Sequence, residues 1–375
     1  MAKKSGILCA LIMTLVALSA FNSCTPQSDQ SIGKDRAFLG FSRSEQRTQI
    51  AFLANGPVSD SGYNYAIAEG RLALEQTLGK DVKTGVLENI PETADAERVM
   101  ERLIDSGVSI IVATSFGYQD ATIAVARRHR DVKFLQAWGF KYEPNVGSYS
   151  AKMYEAWYLM GMVAGRMTKT DKLGIVAAHP IPPMKWQINA YFLGARSVNP
   201  KVTATVTFIN HWFDPVLASQ ATEALINQGH DVVCGVLDNS VGVAQAAEKR
   251  GAWLIGHNAD LSKFAPTRQL AGTRWLWGKL YEDEVRLMLN GTWKGGSDWT
   301  GGLHEGYVGI TDLSSDVPAD VRREVSAARE RLASSSLAIY AGPIRDNEGK
   351  ERIPAGTSLS HDQVMAIDWL VEGVR

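Results

Sequence analysis

Several short stretches of the 375-residue chain place an aromatic ring beside carboxylates or amides, directly after an apolar β-rich run. That pairing suits recognition of a flat polar molecule. In Gly56 to Asn64, the glycines permit a tight loop, Asp60 caps a following helix or meets a ligand, and Tyr63 and Asn64 project from the first turn. In Thr114 to Asp120, Ser115 and Phe116 precede Asp120, which either caps a helix or accepts a ligand hydrogen bond. The stretch Asn210-His211-Trp212-Phe213-Asp214-Pro215 holds two adjacent large aromatics; Asp214 before Pro215 reads as a helix N-cap, which leaves Trp212 for the ligand. Asp238 follows another run, Asn258 and Asp260 a further one, His179 another still, and Arg274 to Trp277 adds the indoles of Trp275 and Trp277. Stacking faces ringed by acceptors suit a nitrogen-rich heterocycle; a sugar, which also stacks on aromatic rings, is the other reading these residue types allow.

Covalent chemistry leaves no comparable mark. The chain has no GxGxxG after a strand, no GxxxxGKS/T, no GxSxG, no HExxH and no CxxC. His179, His211 and His257 stand at strand ends, but without the paired spacing or companion carboxylates of metal ligands, so neither a metal nor a cofactor is expected. The reading is a binding protein rather than an enzyme, with a hydrolase around Asp120 and His179 as the catalytic alternative.

Parallel sheets are the scaffold that would hold such loops side by side. Strands are predicted at Gln49 to Asn55, Val82 to Glu88, Ser109 to Thr114, Lys133 to Trp138, Lys172 to Ala178, Thr203 to Asn210, Val232 to Val236 and Trp253 to His257. Apolar spacing of three and four predicts helices in Tyr65 to Leu78, Ala94 to Ile104 and Ala221 to Ile226 between them. Val146 to Ser150 follows its predecessor without a crossover helix, as do Gln269 to Arg274 and Gly306 to Thr311, and such strands mark places where a chain leaves one sheet for another. The expected fold is α/β, with two doubly wound parallel-sheet lobes joined by a three-segment hinge and ligand bound between them at the carboxyl ends of the strands. The first lobe is expected to take residues 49–150 plus 276–303, the second 151–275 plus 304–375. A charged helix at Pro318 to Ser334, a hairpin at Ile339 to Ile353 and an amphipathic segment at His361 to Val374 would cap the second lobe.

Composition narrows the partners. With 39 Lys and Arg against 40 Asp and Glu, a formal net charge of -1 and no local basic patch, nucleic acid is excluded, and a 45% hydrophobic content excludes a disordered chain. Residues 1–23 read as a signal peptide, with Lys3 and Lys4 ahead of an apolar Ile7 to Phe21 too short to span a bilayer. Phe21-Asn22-Ser23-Cys24 is a degenerate lipobox, so membrane attachment through a lipid on Cys24 is expected, cleavage near Ala20 being the rival; residues 24–48 read as a flexible tether. Cys234, within an apolar run, packs as a small hydrophobe.

Taken together, Asp60-Ser-Gly-Tyr63-Asn64, the run Asn89 to Arg98, Thr114 to Asp120, Gly194 to Pro200, Trp212 to Pro215 and Trp293 resemble the basic membrane protein (BMP) family of substrate-binding lipoproteins, which serve ABC importers of purine nucleosides and bases. The resemblance spans Gln49 to Val374 and implies the type I periplasmic-binding-protein fold. It implies a purine sandwiched between Tyr63 and Trp212, with Asp120 on the base edge and Asn64 beside it. Nucleoside binders of the family hold ribose with a lysine near the second crossing and an acidic residue; here those regions read Gly272-Thr-Arg-Trp-Leu-Trp277 and His257-Asn258-Ala259-Asp260, and an indole fills the sugar's space. A free nucleobase is therefore expected over a nucleoside, delivered by a monomer to ABC permease subunits, in the periplasm or at the outer face of the cell membrane. A sensor receptor would share every pocket residue.

Overall fold

The computed structural model describes residues 38–375; the expected signal peptide, Cys24 and the first part of the tether lie outside the described residues. In chain order the first strands and helices are β1 (Thr48–Leu53), α1 (Tyr63–Leu78), β2 (Val82–Leu87), α2 (Asp95–Asp105), β3 (Ile110–Ala113), α3 (Gln119–Arg128), β4 (Lys133–Ala137) and β5 (Val146–Ala151). Next come α4 (Met153–Met167), β6 (Lys172–Ala177), α5 (Pro182–Val198), β7 (Thr203–Phe208), α6 (Pro215–Asn227), β8 (Val232–Val236), α7 (Val241–Arg250), β9 (Trp253–Gly256) and β10 (Gln269–Trp275). The remainder holds α8 (Trp277–Leu289), β11 (Asp298–Gly301), β12 (Val308–Ile310), α9 (Ala319–Ala333), β13 (Ile344–Arg345), β14 (Glu351–Ile353) and α10 (His361–Met365).

Two six-stranded sheets result, ordered β11-β5-β4-β3-β1-β2 and β12-β10-β9-β8-β6-β7. All pairs in the first are parallel, and in the second only β10 and β12 run antiparallel. Strands β3 and β8, covered on both faces, are buried throughout and read as unbroken apolar runs. The winding of β1 to β5 repeats in β6 to β10, and in each sheet the strand order reverses at the first strand. Loops leaving a reversal point diverge, which opens a crevice at the carboxyl ends. The chain passes between sheets after β5, after β10 and after β11, giving two doubly wound lobes joined by three segments.

Helix contacts fix the frame. A side chain at Gly161 of α4 would run into the Tyr191 carbonyl of α5, and one at Gly194 into that of Tyr158, so the two helices meet backbone to backbone. Across the second crossing α8 returns to the first lobe, where Gly70 of α1 admits Trp277 and Tyr281.

Two expectations require correction. The tether drawn to residue 48 stops sooner, because Phe41 is buried over Gly85 of β2 and Ser42 exchanges hydrogen bonds of 2.7 and 2.9 Å with the Gln49 amide. His361 to Val374 is not one amphipathic element: α10 stops at Met365, after which the buried Asn189 amide takes the Trp369 carbonyl and the Val371 N–H, both at 2.9 Å. The segment then ends with Val374 beside Ala204 on the β7 edge.

Candidate ligand-binding cleft

The loops after β1 and β3 flank the reversal point of the first sheet. Asp60 organises the first of them. Its Oδ1 accepts the Gly62 and Tyr65 N–H groups at 2.7 and 2.9 Å, and its Oδ2 accepts the Asn64 N–H and Nδ2, each at 3.1 Å. The carboxylate therefore caps α1, and burial pushes its pKa up against the pull of those bonds. The turn it forms aims Tyr63 across the reversal point, where its hydroxyl donates to the Thr114 carbonyl at 2.9 Å and accepts from Trp138 Nε1 at 3.3 Å. Trp138, immediately after β4, has φ 56, a left-handed backbone that costs a bulky residue about 1–3 kcal/mol and persists where the surroundings enforce it. Its ring stands edge-on to Trp275 and Trp277, which stack 4.8 Å apart at 6°. Tyr63 meets Trp275 edge-on at 6.1 Å. These four rings form one wall beside the second crossing.

The second lobe reaches this wall through the loop after β8. The Asp238 carbonyl accepts the Tyr63 N–H at 3.0 Å, Asn239 Nδ2 donates to the Asp60 carbonyl, and a side chain at Gly62 would strike the Asp238 carbonyl. Asn258, at φ 68 after β9, braces the contact: Nδ2 donates to the Leu237 and Asp238 carbonyls at 2.9 and 3.0 Å, and Oδ1 accepts from Trp275 Nε1 at 2.7 Å. Its amide is fully engaged, so Asn258 positions Trp275 and Asp238. The half-buried Asp238 carboxylate takes no hydrogen bond among the described residues, and burial, then the Asp60 and Glu92 carboxylates, push its pKa up to about 7. Asn64 Oδ1 and Trp277 Nε1 are buried without partners. His257 belongs to the core: burial lowers its pKa to about 3, its ring lies 4.9 Å from Trp157, and Nδ1 pairs with Thr273 Oγ1 at 2.6 Å.

Other predicted residues lie outside this cluster. Trp212, 39% exposed, rests against the His179 ring at 5.1 Å, and among the described residues no ring contact links it to Tyr63. Asp214 is an N-cap, accepting the Leu217 N–H at 2.9 Å, as the sequence implied. Ser115 donates to the exposed Glu92, and the exposed Phe116 packs on Phe140 at 5.8 Å. Asp120 does not join Asn64: it is exposed and pairs with Lys141 at 2.5 Å. The preceding Gln119 takes the inward position, accepting the Phe140 and Lys141 N–H groups at 2.6 and 3.0 Å, and one step along a helix turns the next side chain through roughly 100°. Asp260 is exposed and lines a separate cavity of about 330 Å³ with Arg274 and Thr311, while a cavity of about 500 Å³ near Arg47 and Arg286 lies at the amino ends of β1 and β2. Trp138 and Glu92 were not among the predicted site residues; an aromatic ending the predicted strand Lys133 to Trp138, akin to Trp212 just past the strand ending at Asn210, was the signal for Trp138.

Residues 47–340 match the Bmp family, described as ABC transporter substrate-binding protein PnrA-like. A purine-binding protein of Brucella abortus is 36% identical over 335 residues, covering 89% of this chain and 95% of the relative. TsgA13 of Haloferax volcanii, named as an ABC transporter glucose-binding protein, is 34% identical over 306 residues, covering 82% of this chain and 77% of the relative. In three dimensions the chain is similar to an ABC transporter solute-binding protein from Conexibacter woesei, with a TM-score of 0.67, 21% identity, and coverage of 77% of this chain and 97% of the other.

Proposed function

The chain belongs to the Bmp family of PnrA-like ABC transporter substrate-binding proteins, and on that footing we propose that it captures a free purine base between its lobes and delivers it to an ABC permease. The observation that carries the reading is the seam in which the β1 and β8 loops hydrogen-bond directly, Tyr63 to Asp238 and Asn239 to Asp60, beside a wall of Tyr63, Trp138, Trp275 and Trp277. A planar base stacks on the part-exposed Tyr63 and Trp138 of this wall and meets the acceptors Asn64 and Asp238 at its edge. Trp212, exposed on the second lobe and backed by His179, is the ring that the family resemblance sets opposite Tyr63. The stacked pair Trp275 and Trp277 falls in the stretch where the family resemblance expects a ribose-binding lysine, which supports a base over a nucleoside. Binding and closure require no bond to be made or broken; the closed form is what a permease would read. Attachment through Cys24 would hold the receptor, a monomer, at the outer face of the membrane.

The Haloferax relative gives a sugar as the second reading. Native mass spectrometry of the protein as purified separates them: a retained mass matching a purine base supports the proposal, and a hexose overturns it.

A further inference from the structure

Where the lobes meet, most donors are engaged, Trp277 Nε1 being the ring donor left buried without a partner, while two acceptors stand without donors. Tyr63 donates its hydroxyl to Thr114, Trp275 its Nε1 to Asn258, and Asn239 its amide to the Asp60 carbonyl. Asp60 is filled by N–H groups of its own turn. Against that, the Asp238 carboxylate has no hydrogen-bond partner among the described residues, although the backbone bearing it is pinned from both sides, by Tyr63 and by Asn258. Asn64, 4% exposed, has its amide head on Asp60 through Nδ2 and leaves Oδ1 unpartnered. Two acceptors fixed in position and lacking donors describe the complement of what they bind.

We infer that Asp238 selects ligands that present two adjacent N–H donors, such as the ring N–H and exocyclic amine of guanine, while Asn64 Oδ1 takes a further ring N–H. The inference rests on the purine-capture reading and gives it an edge specificity. A carboxylate meets two parallel donors with two charge-assisted bonds, and a ligand lacking one donor leaves it half paired. The exposed Asp120, held by Lys141, is not required for this role.

Guanine and hypoxanthine differ only in the exocyclic amine, so calorimetric titration of the full chain with each tests the claim. Guanine should bind about tenfold or more tightly than hypoxanthine, and the preference should fall below about threefold in both Asp238→Asn and Asp238→Ala. A parallel arm compares 2-aminobenzimidazole with benzimidazole. Equal affinity of the two purines, or a preference that survives both variants, overturns the inference and leaves purine capture standing. If neither of these purines nor adenine, titrated alongside, binds but 2-aminobenzimidazole outbinds benzimidazole through Asp238, purine capture falls and the donor-edge inference stands. Absence of binding by all five overturns both.

Discussion

Asp238 extends from the second lobe toward Asp60 and Glu92 of the first, and its folded pKa of about 7 lies well above the ordinary carboxylate range. A carboxyl whose pKa rises on folding costs nothing while protonated in both states; its penalty grows as pH climbs from about 4 to about 7 and is constant above. Glu284, pushed by burial to about 7 against the pull of Trp293, follows the same course, so the difference between variants isolates Asp238. Asp238→Asn should raise the melting temperature at pH 8 by about 2–4 °C for each kcal/mol relieved, and leave it unchanged at pH 4. Differential scanning fluorimetry across pH checks this; equal shifts at both ends would show that the carboxylate's charge is not responsible. Two indoles offer a contrast. Trp212 is exposed and meets one ring, so Trp212→Ala should abolish ligand binding while moving the melting temperature of the protein without ligand by less than about 2 °C. Trp275, 6% exposed and stacked on Trp277, should cost about 3–5 kcal/mol when replaced by alanine, measured by denaturant unfolding.

Among the elements, close approach between helices sets the tolerance. Gly161→Ala would press a methyl group into the Tyr191 carbonyl and should cost about 1–3 kcal/mol in a urea titration, with no change in ligand preference, because α4 and α5 lie outside the seam. The strands β1 to β10 were legible to within two residues, since unbroken apolar runs punctuated by Gly, Asn, Asp and Ser leave few alternatives. Strand β11 was not: Asp298-Trp-Thr-Gly is four residues long and owes its conformation to parallel pairing with β5, a contact no local pattern encodes. The break after α10 was hidden for the same reason, because Asn189 imposes it from α5. In the site, loop composition located Tyr63, Asn64, Asp238 and Trp275 near the seam. It could not say that Asn258 braces its neighbours, nor that Gln119 rather than Asp120 faces inward, since both follow from side-chain direction at a helix start.

For the whole molecule, lobe approach is governed at Gly62, whose lack of a side chain lets it rest on the Asp238 carbonyl. Gly62→Ala should hold the lobes apart, which small-angle scattering would register as a larger radius of gyration that a saturating base no longer reduces; an unchanged radius with normal binding would refute the role. The threaded arrangement of the lobes has a further consequence. The first sheet gains its outer strand only at Asp298–Gly301, and the second gains one edge at Val308–Ile310 and cover for the other at Val374. Neither half can be finished from the early part of the polypeptide. A nascent chain built this way is expected to complete neither lobe until its synthesis is nearly done.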